Sequence, residues 1–263
     1  MKIGIIGLGY VGGAIKAAMQ LNAPDVELVL IDKYRPEVLG TYADLEDTDG
    51  VFICVPTPQD QDGSCDVGPL HSVLQNLKAI KYKKVIISKC TALPDIYKQL
   101  QIEFPNLVHV PEFLTAANAI QDYVYGKFCI IGGRFSTAAD AVTIIRLGQK
   151  NLGTKVRCCS IEEAALAKYS INSFLATKVI FMNELRELSR KFHINYDVVS
   201  QILEMEPRIG STHLKVPGPD GILGFGGACF PKDTSALLSY AKNAGVDLSV
   251  LSAAVEKNKK LRR

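Results

Sequence analysis

Cys229 lies within GFGGACFPKD, residues 224–233, a stretch with the residue types that a thiol nucleophile needs. Gly224, Gly226 and Gly227 bring the backbone close to a ligand without Cβ interference. Pro231 suits the first turn of a helix, so Cys229 is expected at or just before the N-terminus of a helix running through DTSALLSYAKNAG. The positive end of that helix dipole, with Lys232 nearby, favours the thiolate and hence nucleophilic attack. A free cysteine is more often a small buried apolar residue; the glycines, the helix start and the polar PKD tail favour the nucleophile here. Lys168 and Asn172 form a second candidate pair, four positions apart and therefore on one helical face. Tyr169, Ile171, Phe174 and Leu175 make that helix largely buried, and a buried lysine and asparagine need partners.

A cofactor site is legible at the N-terminus. The apolar run IGII, residues 3–6, leads into GLGYVG, then a helical pattern AIKAAMQL, then a second strand ELVLID ending in Asp32. This βαβ context turns a weak glycine motif into a strong one. Gly7 permits the tight turn, Gly9 lets a pyrophosphate approach the backbone, and Gly12 allows close helix packing, while helix N-terminal amides hold the phosphates. Asp32 can accept from the adenosine ribose hydroxyls and repels a 2′-phosphate, so NAD is expected over NADP. Arg35 could instead accommodate that phosphate, but is weighted as a solvated turn residue. A third strand, VFICVP, ends in Thr57-Pro58, at the strand edge where ligands bind in open α/β sheets. A fourth, KVIISK, ends in Cys90-Thr91, where Thr91 alone reads as a helix cap.

Further strands at LVHV, KFCIIGG and Lys155 to Cys158 are expected to complete a Rossmann-type first domain, residues 1–158. From Ser160 the pattern is helical for about thirty residues without Pro or Gly, opened by an N-cap serine with Glu163 three positions on. The second domain, residues 159–263, is therefore expected to be helical and to carry Cys229. The long helix has apolar residues on more than one face, which suggests burial against a second copy in a homodimer. Hydrophobic content of 48% over 263 residues can fill such cores. The net charge of +3 comes from interspersed signs, which gives nucleic-acid binding no support. No segment reaches the apolar length of a membrane helix, and no internal repeat stands out. The seven cysteines and four histidines show no metal-ligand spacing. An odd thiol count, with Cys54 and Cys129 inside expected strands, suggests a reducing, cytoplasm-like compartment.

GFGGACFPKD resembles the nucleophile motif of the UDP-glucose/GDP-mannose dehydrogenase family, and the resemblance covers essentially the whole chain. VPTP followed by an acidic, Gly-containing loop is similar to its cofactor-facing segment, which assigns Tyr10, Val11, Val55, Pro56, Thr57 and Thr91 to NAD alongside the glycines. PEFL at residues 111–114 matches a family motif, in which Glu112 positions or activates the hydrolytic water, Thr91 helps hold it, and Phe113 and Leu114 line the sugar site. KYSIN at residues 168–172 is similar to the element whose lysine and asparagine reach the substrate carbon. Arg208 and Lys215 match positions that contact the nucleotide-sugar, one of them across a dimer interface, and Phe225 and Gly226 belong with the substrate. The resemblance implies a four-electron oxidation of a nucleotide-sugar alcohol to a carboxylate, UDP-glucose to UDP-glucuronate. It proceeds through an aldehyde, a Cys229 thiohemiacetal and a thioester, with Lys168 and Asn172 as oxyanion donors and Asp233 orienting water. Two features depart from the pattern: Ala116 stands where a second acidic residue is common, and the chain stops before the family's third α/β domain. A non-catalytic NAD or nucleotide-sugar binding protein, or a two-domain hydroxy-acid dehydrogenase, are the alternatives.

Overall fold

The computed structural model describes residues 1–60, 65–115, 117–150 and 155–262. Two compact units are present, one formed by Met1–Pro58 with Cys65–Lys168, the other holding Tyr169–Arg263.

The first unit is built on a seven-stranded sheet. Its strands are β1 (Lys2–Ile6), β2 (Glu27–Ile31), β3 (Gly50–Ile53), β4 (Val85–Ser88), β5 (Leu107–His109), β6 (Phe128–Gly132) and β7 (Lys155–Cys159). Spatial order is β2-β1-β3-β4-β5-β6-β7. The first five are parallel, β6 meets β5 antiparallel through His109 opposite Gly132, and β7 runs parallel to β6. The intervening helices are α1 (Tyr10–Asn22), α2 (Gly68–Ala79), α3 (Pro94–Glu103), α4 (Ala119–Val124) and α5 (Phe135–Gly148). Strand alternation divides the apolar residues between two faces. Ile3, Ile5, Phe52, Ile87 and Val108 pack with α1 and α5, whereas Ile6, Val51, Ile53, Ile86 and Leu107 pack with α2 and α3. This is the Rossmann-type arrangement expected from the glycine loop. Two elements were not legible beforehand: α4, and a short 3-10 turn at Ala43–Leu45.

A single long helix, α6 (Ile161–Lys191), follows β7. The expected capping box is formed: Ser160 N donates to Glu163 Oε2 at 2.7 Å, and Glu163 N to Ser160 Oγ at 3.1 Å. The sheet ends with β7 at Cys159, while the compact units part between Lys168 and Tyr169. The start of α6 buries Ile161 and Ala165 in the sheet's own core, which explains that placement. The second unit consists of the remainder of α6 with α7 (Tyr196–Met205), α8 (Phe230–Asn243) and α9 (Ser249–Leu261). Among the described residues it is held by a small core around Ala176, Ile180, Phe225 and Ala254 and another around Met182, Tyr196, Leu214 and Val216. Among the described residues no helix is long and apolar enough to cross a membrane.

Candidate active site

The cofactor loop is specified by contacts that only glycine satisfies. Gly7 has φ +88°, and a Cβ there would meet Cys54 O at 2.8 Å; a Cβ on Gly12 would lie 1.9 Å from Gly7 O. Gly9, by contrast, has nothing within 4 Å of where its Cβ would stand. It is the N-cap of α1 and contributes no side-chain cap, nor does the first turn carry an acid. The helix start is therefore an open face of backbone donors, the environment a diphosphate requires. Asp32, just past β2, accepts from Leu8 N at 2.6 Å and from Tyr34 N at 2.8 Å. It anchors the loop. These features fit a dinucleotide. Val11 packs on the core beside α1, Val55 on the opposite core, Pro56 is exposed and Thr57 buried.

Beyond the ends of β4 and β5 lies a buried charged cluster within the same unit. Glu112 is 7% and Lys168 3% exposed. Lys168 Nζ donates to Glu112 O at 2.5 Å, lies 3.6 Å from Glu112 Oε1, and sits 4.9 Å from the centre of the Phe113 ring. Glu112 Oε2 accepts from Leu114 N at 2.7 Å. These contacts supply the partners that a buried lysine demanded. Phe113 leans on Phe128, and Leu114 packs against the core around α1. Thr91 does not cap α3, whose N-cap is Leu93 with Pro94 following; its carbonyl accepts from Cys65 Sγ at 3.2 Å. Ala116 lies outside the described residues.

Lys89 is a second buried lysine that sequence reasoning missed. Its ammonium donates to Pro111 O at 3.4 Å, and burial pushes its pKa below the ordinary lysine value, with Cys129 and Glu112 opposing that shift. Nearby His109 stacks on Tyr97 with ring centroids 4.2 Å apart. His109 Nδ1 lies 3.3 Å from Ser88 O, an acceptor, so Nδ1 carries the proton and the bare Nε2 is left without a partner among the described residues. Burial pushes the imidazole down to about 3. Only the apolar setting of VHVPEF could have signalled this neutral histidine.

In the second unit, Cys229 is the N-cap of α8, partly exposed, with Pro231 in the first turn. Asp233 follows one turn later, its amide donating to Cys229 O at 2.8 Å. That carboxylate is 1% exposed and has a donor on each oxygen: Asn172 Nδ2 donates to Oδ2 at 2.5 Å and Lys232 Nζ to Oδ1 at 2.6 Å. The glycine segment before the cysteine is held by side chains that sequence reasoning did not single out. Asn183 accepts from Gly224 N, and Asn258 brackets Phe225, accepting from its N at 2.7 Å and donating to its O at 3.0 Å. Asn183 stands eleven residues after Asn172, three helical turns, and that spacing was the available signal.

The Phe225 ring is 3% exposed and packs into the core, with its backbone N and O both engaged by Asn258. Gly226 faces the guanidinium of Arg262, which a Cβ would approach to 2.2 Å. Arg208 lies exposed in a two-pronged pair with Glu206 at 2.8 and 2.9 Å, and Lys215 is also exposed. Their loop is tied down by Lys178, which donates to Ile209 O, Gly210 O and Thr212 O at 3.1, 3.0 and 2.5 Å. Among the described residues no group of three His, Cys, Asp or Glu side chains could hold a metal ion.

Residues 39–147 match the NAD binding domain of the UDP-glucose/GDP-mannose dehydrogenase family, and residues 162–260 match that family's central domain. A UDP-glucose 6-dehydrogenase of Rickettsia bellii is 32% identical over 98% of this chain and 67% of its own. The chain belongs to the UDP-glucose/GDP-mannose dehydrogenase family. Its first unit is that family's NAD-binding domain, and NAD is its cofactor. The chain spans about two thirds of the length of the curated relatives it matches. In fold it is similar to a UDP-glucose dehydrogenase from the archaeon Pyrobaculum islandicum, with a TM-score of 0.81 at 24% identity over 98% of this chain and 68% of that one. The 3-hydroxyisobutyrate dehydrogenase of Mycobacterium tuberculosis shares the fold too, with a TM-score of 0.74 at 17% identity, covering 98% of this chain and 92% of that one. Fold alone therefore does not choose between a nucleotide-sugar and a small hydroxy acid.

Proposed function

We propose that this protein oxidises the primary alcohol of a nucleotide-sugar to a carboxylate, with UDP-glucose as substrate and UDP-glucuronate as product. The observation that carries the proposal is the start of α8, where a partly exposed thiol stands one turn before a buried carboxylate held by Asn172 and Lys232. A hydroxy-acid dehydrogenase has no use for that thiol. NAD, when bound, takes up the two electrons of each oxidation, so one alcohol consumes two NAD and one water. Cys229 attacks the aldehyde carbon to give a thiohemiacetal, whose oxidation leaves a thioester for water to cleave. The ammonium of Lys168 and the amide of Asn172 act as donors to the developing oxyanion. Asp233, Glu112 and Thr91 order the water.

The two exposed cations, Arg208 and Lys215, are proposed to meet the diphosphate, for which point charges and a planar fork are suited. The second unit exposes Phe174, Phe181 and Leu188 on α6 and Ile202 on α7. That apolar surface supports a homodimer, which sedimentation at micromolar concentration tests; a monomer would count against it. The seven free thiols support a reducing, cytoplasmic setting. NADH formation with a panel of UDP- and GDP-sugars tests the function itself. Two NADH per sugar consumed is the expected result, and NADH from none of them would leave a binding protein.

A further inference from the structure

Glu112 is held by donors from three separate parts of the first unit. Besides Leu114 N on Oε2 and Lys168 Nζ near Oε1, Tyr10 Oη donates to Oε1 at 3.3 Å across 102 residues of sequence. Tyr10 is the first residue of α1, directly after Gly9. One residue thus places its backbone amide in the phosphate cradle and its hydroxyl on the carboxylate beyond β5. The O–H···O bond is long against the usual optimum of about 2.7–2.8 Å, so it has room to tighten by about half an ångström. Hydrogen bonds in a ligand-free site commonly tighten when the ligand arrives. The tyrosine is 45% exposed.

We propose that Tyr10 is a positioning residue that couples occupation of the glycine cradle to the setting of Glu112. A diphosphate seated on the α1 amides draws the first turn into place and brings Oη onto Oε1. The carboxylate is then fixed by Tyr10 and Lys168 on one oxygen and by Leu114 N on the other, with its remaining lone pairs aimed at water. This inference rests on Glu112 acting as the water-ordering carboxylate.

The test is a double-mutant cycle read on NAD binding alone. Calorimetric titrations would compare wild type, Tyr10→Phe, Glu112→Gln and the double variant, all close to isosteric. Each single change is expected to weaken NAD by about threefold or more, with the double variant no weaker than the worse single, because the two groups act through one bond. Multiplicative losses, or unchanged affinity in both single variants, would overturn the coupling. In turnover, Tyr10→Phe should keep the KM for nucleotide-sugar within about twofold and preserve the initial burst of NADH, while steady-state kcat falls about tenfold as water attack becomes limiting. Wild-type turnover in Tyr10→Phe would overturn the positioning role. If the wild type gives no NADH with any nucleotide-sugar, the functional proposal fails, and the binding cycle still decides the link between Tyr10 and Glu112.

Discussion

His109 gives the protein a built-in sensitivity to acid that can be worked out from its surroundings. Its imidazole is 1% exposed, stacked on Tyr97, and held neutral by burial, with the ammonium groups of Lys89 and Lys168 pressing in the same direction. The native pKa is about 3, while an unfolded histidine titrates near 6.5. The unfolded chain therefore binds a proton that the native chain refuses. Stability is fully present above about pH 6.5 and is lost as pH falls toward the native value. Between pH 7 and pH 5 the loss from this residue is about 2 kcal/mol, before most carboxylates begin to titrate. His109→Phe removes the titration, keeps the stacking surface and eliminates the unpaired Nε2. Ser88 O would still accept from Val110 N at 2.8 Å, so no orphan is created. Chemical denaturation at pH 7, 6 and 5 would measure the effect. Wild type should lose about 2 kcal/mol more than His109→Phe across that range. Parallel pH dependences would refute the assignment of the neutral imidazole.

The other expectations concern the cofactor loop and the loop that Lys178 fastens. Gly9→Ala should leave the melting temperature unchanged, because its Cβ meets open space, yet weaken NAD by about tenfold or more if the diphosphate passes there. Gly12→Ala should instead cost about 1–3 kcal/mol of stability through its collision with Gly7 O, which a thermal melt detects. Asp32→Ala should narrow the preference for NAD over NADP and also weaken NAD, since Leu8 N loses its acceptor; equal affinity for the two cofactors in the wild type would contradict its charge role. Lys178→Met would leave the carbonyls of Ile209, Gly210 and Thr212 without their donor, and faster proteolysis between α7 and α8 should report it.

What could be read beforehand was what local rules determine. Alternating apolar strands, the GLGYVG turn, the Ser160–Glu163 box and the Pro231 helix start each depend on residues within a few positions of one another. The cluster around Glu112 does not. Its partners are Lys168, 56 residues on, and Tyr10, 102 residues back, and periodicity carries no information about such pairings. Lys89 was not legible, because burial of its ammonium follows from the packing of neighbouring strands. The inward turn of the Phe225 ring was not legible either, because an aromatic ring beside glycines can fill a core as readily as face a ligand. The reversal of direction at β6 was hidden because the period of two is the same for parallel and antiparallel strands.

The central claim is that Cys229 is the nucleophile, and a single comparison of NADH yields tests it most directly. Wild type and Cys229→Ser would be supplied with limiting UDP-glucose and excess NAD, with iodoacetamide labelling of the thiols followed in parallel by mass spectrometry. Cys229 should label faster than Cys90, which burial pushes up to about 12, and faster than Cys54 and Cys129, whose thiols burial also pushes up. Nucleotide-sugar should protect it. Wild type is expected to yield two NADH per sugar, and Cys229→Ser to bind both ligands without completing the oxidation. A serine variant that turns over at the wild-type rate, with Cys229 labelling no faster than Cys54 or Cys129, would make Cys229 a packing residue.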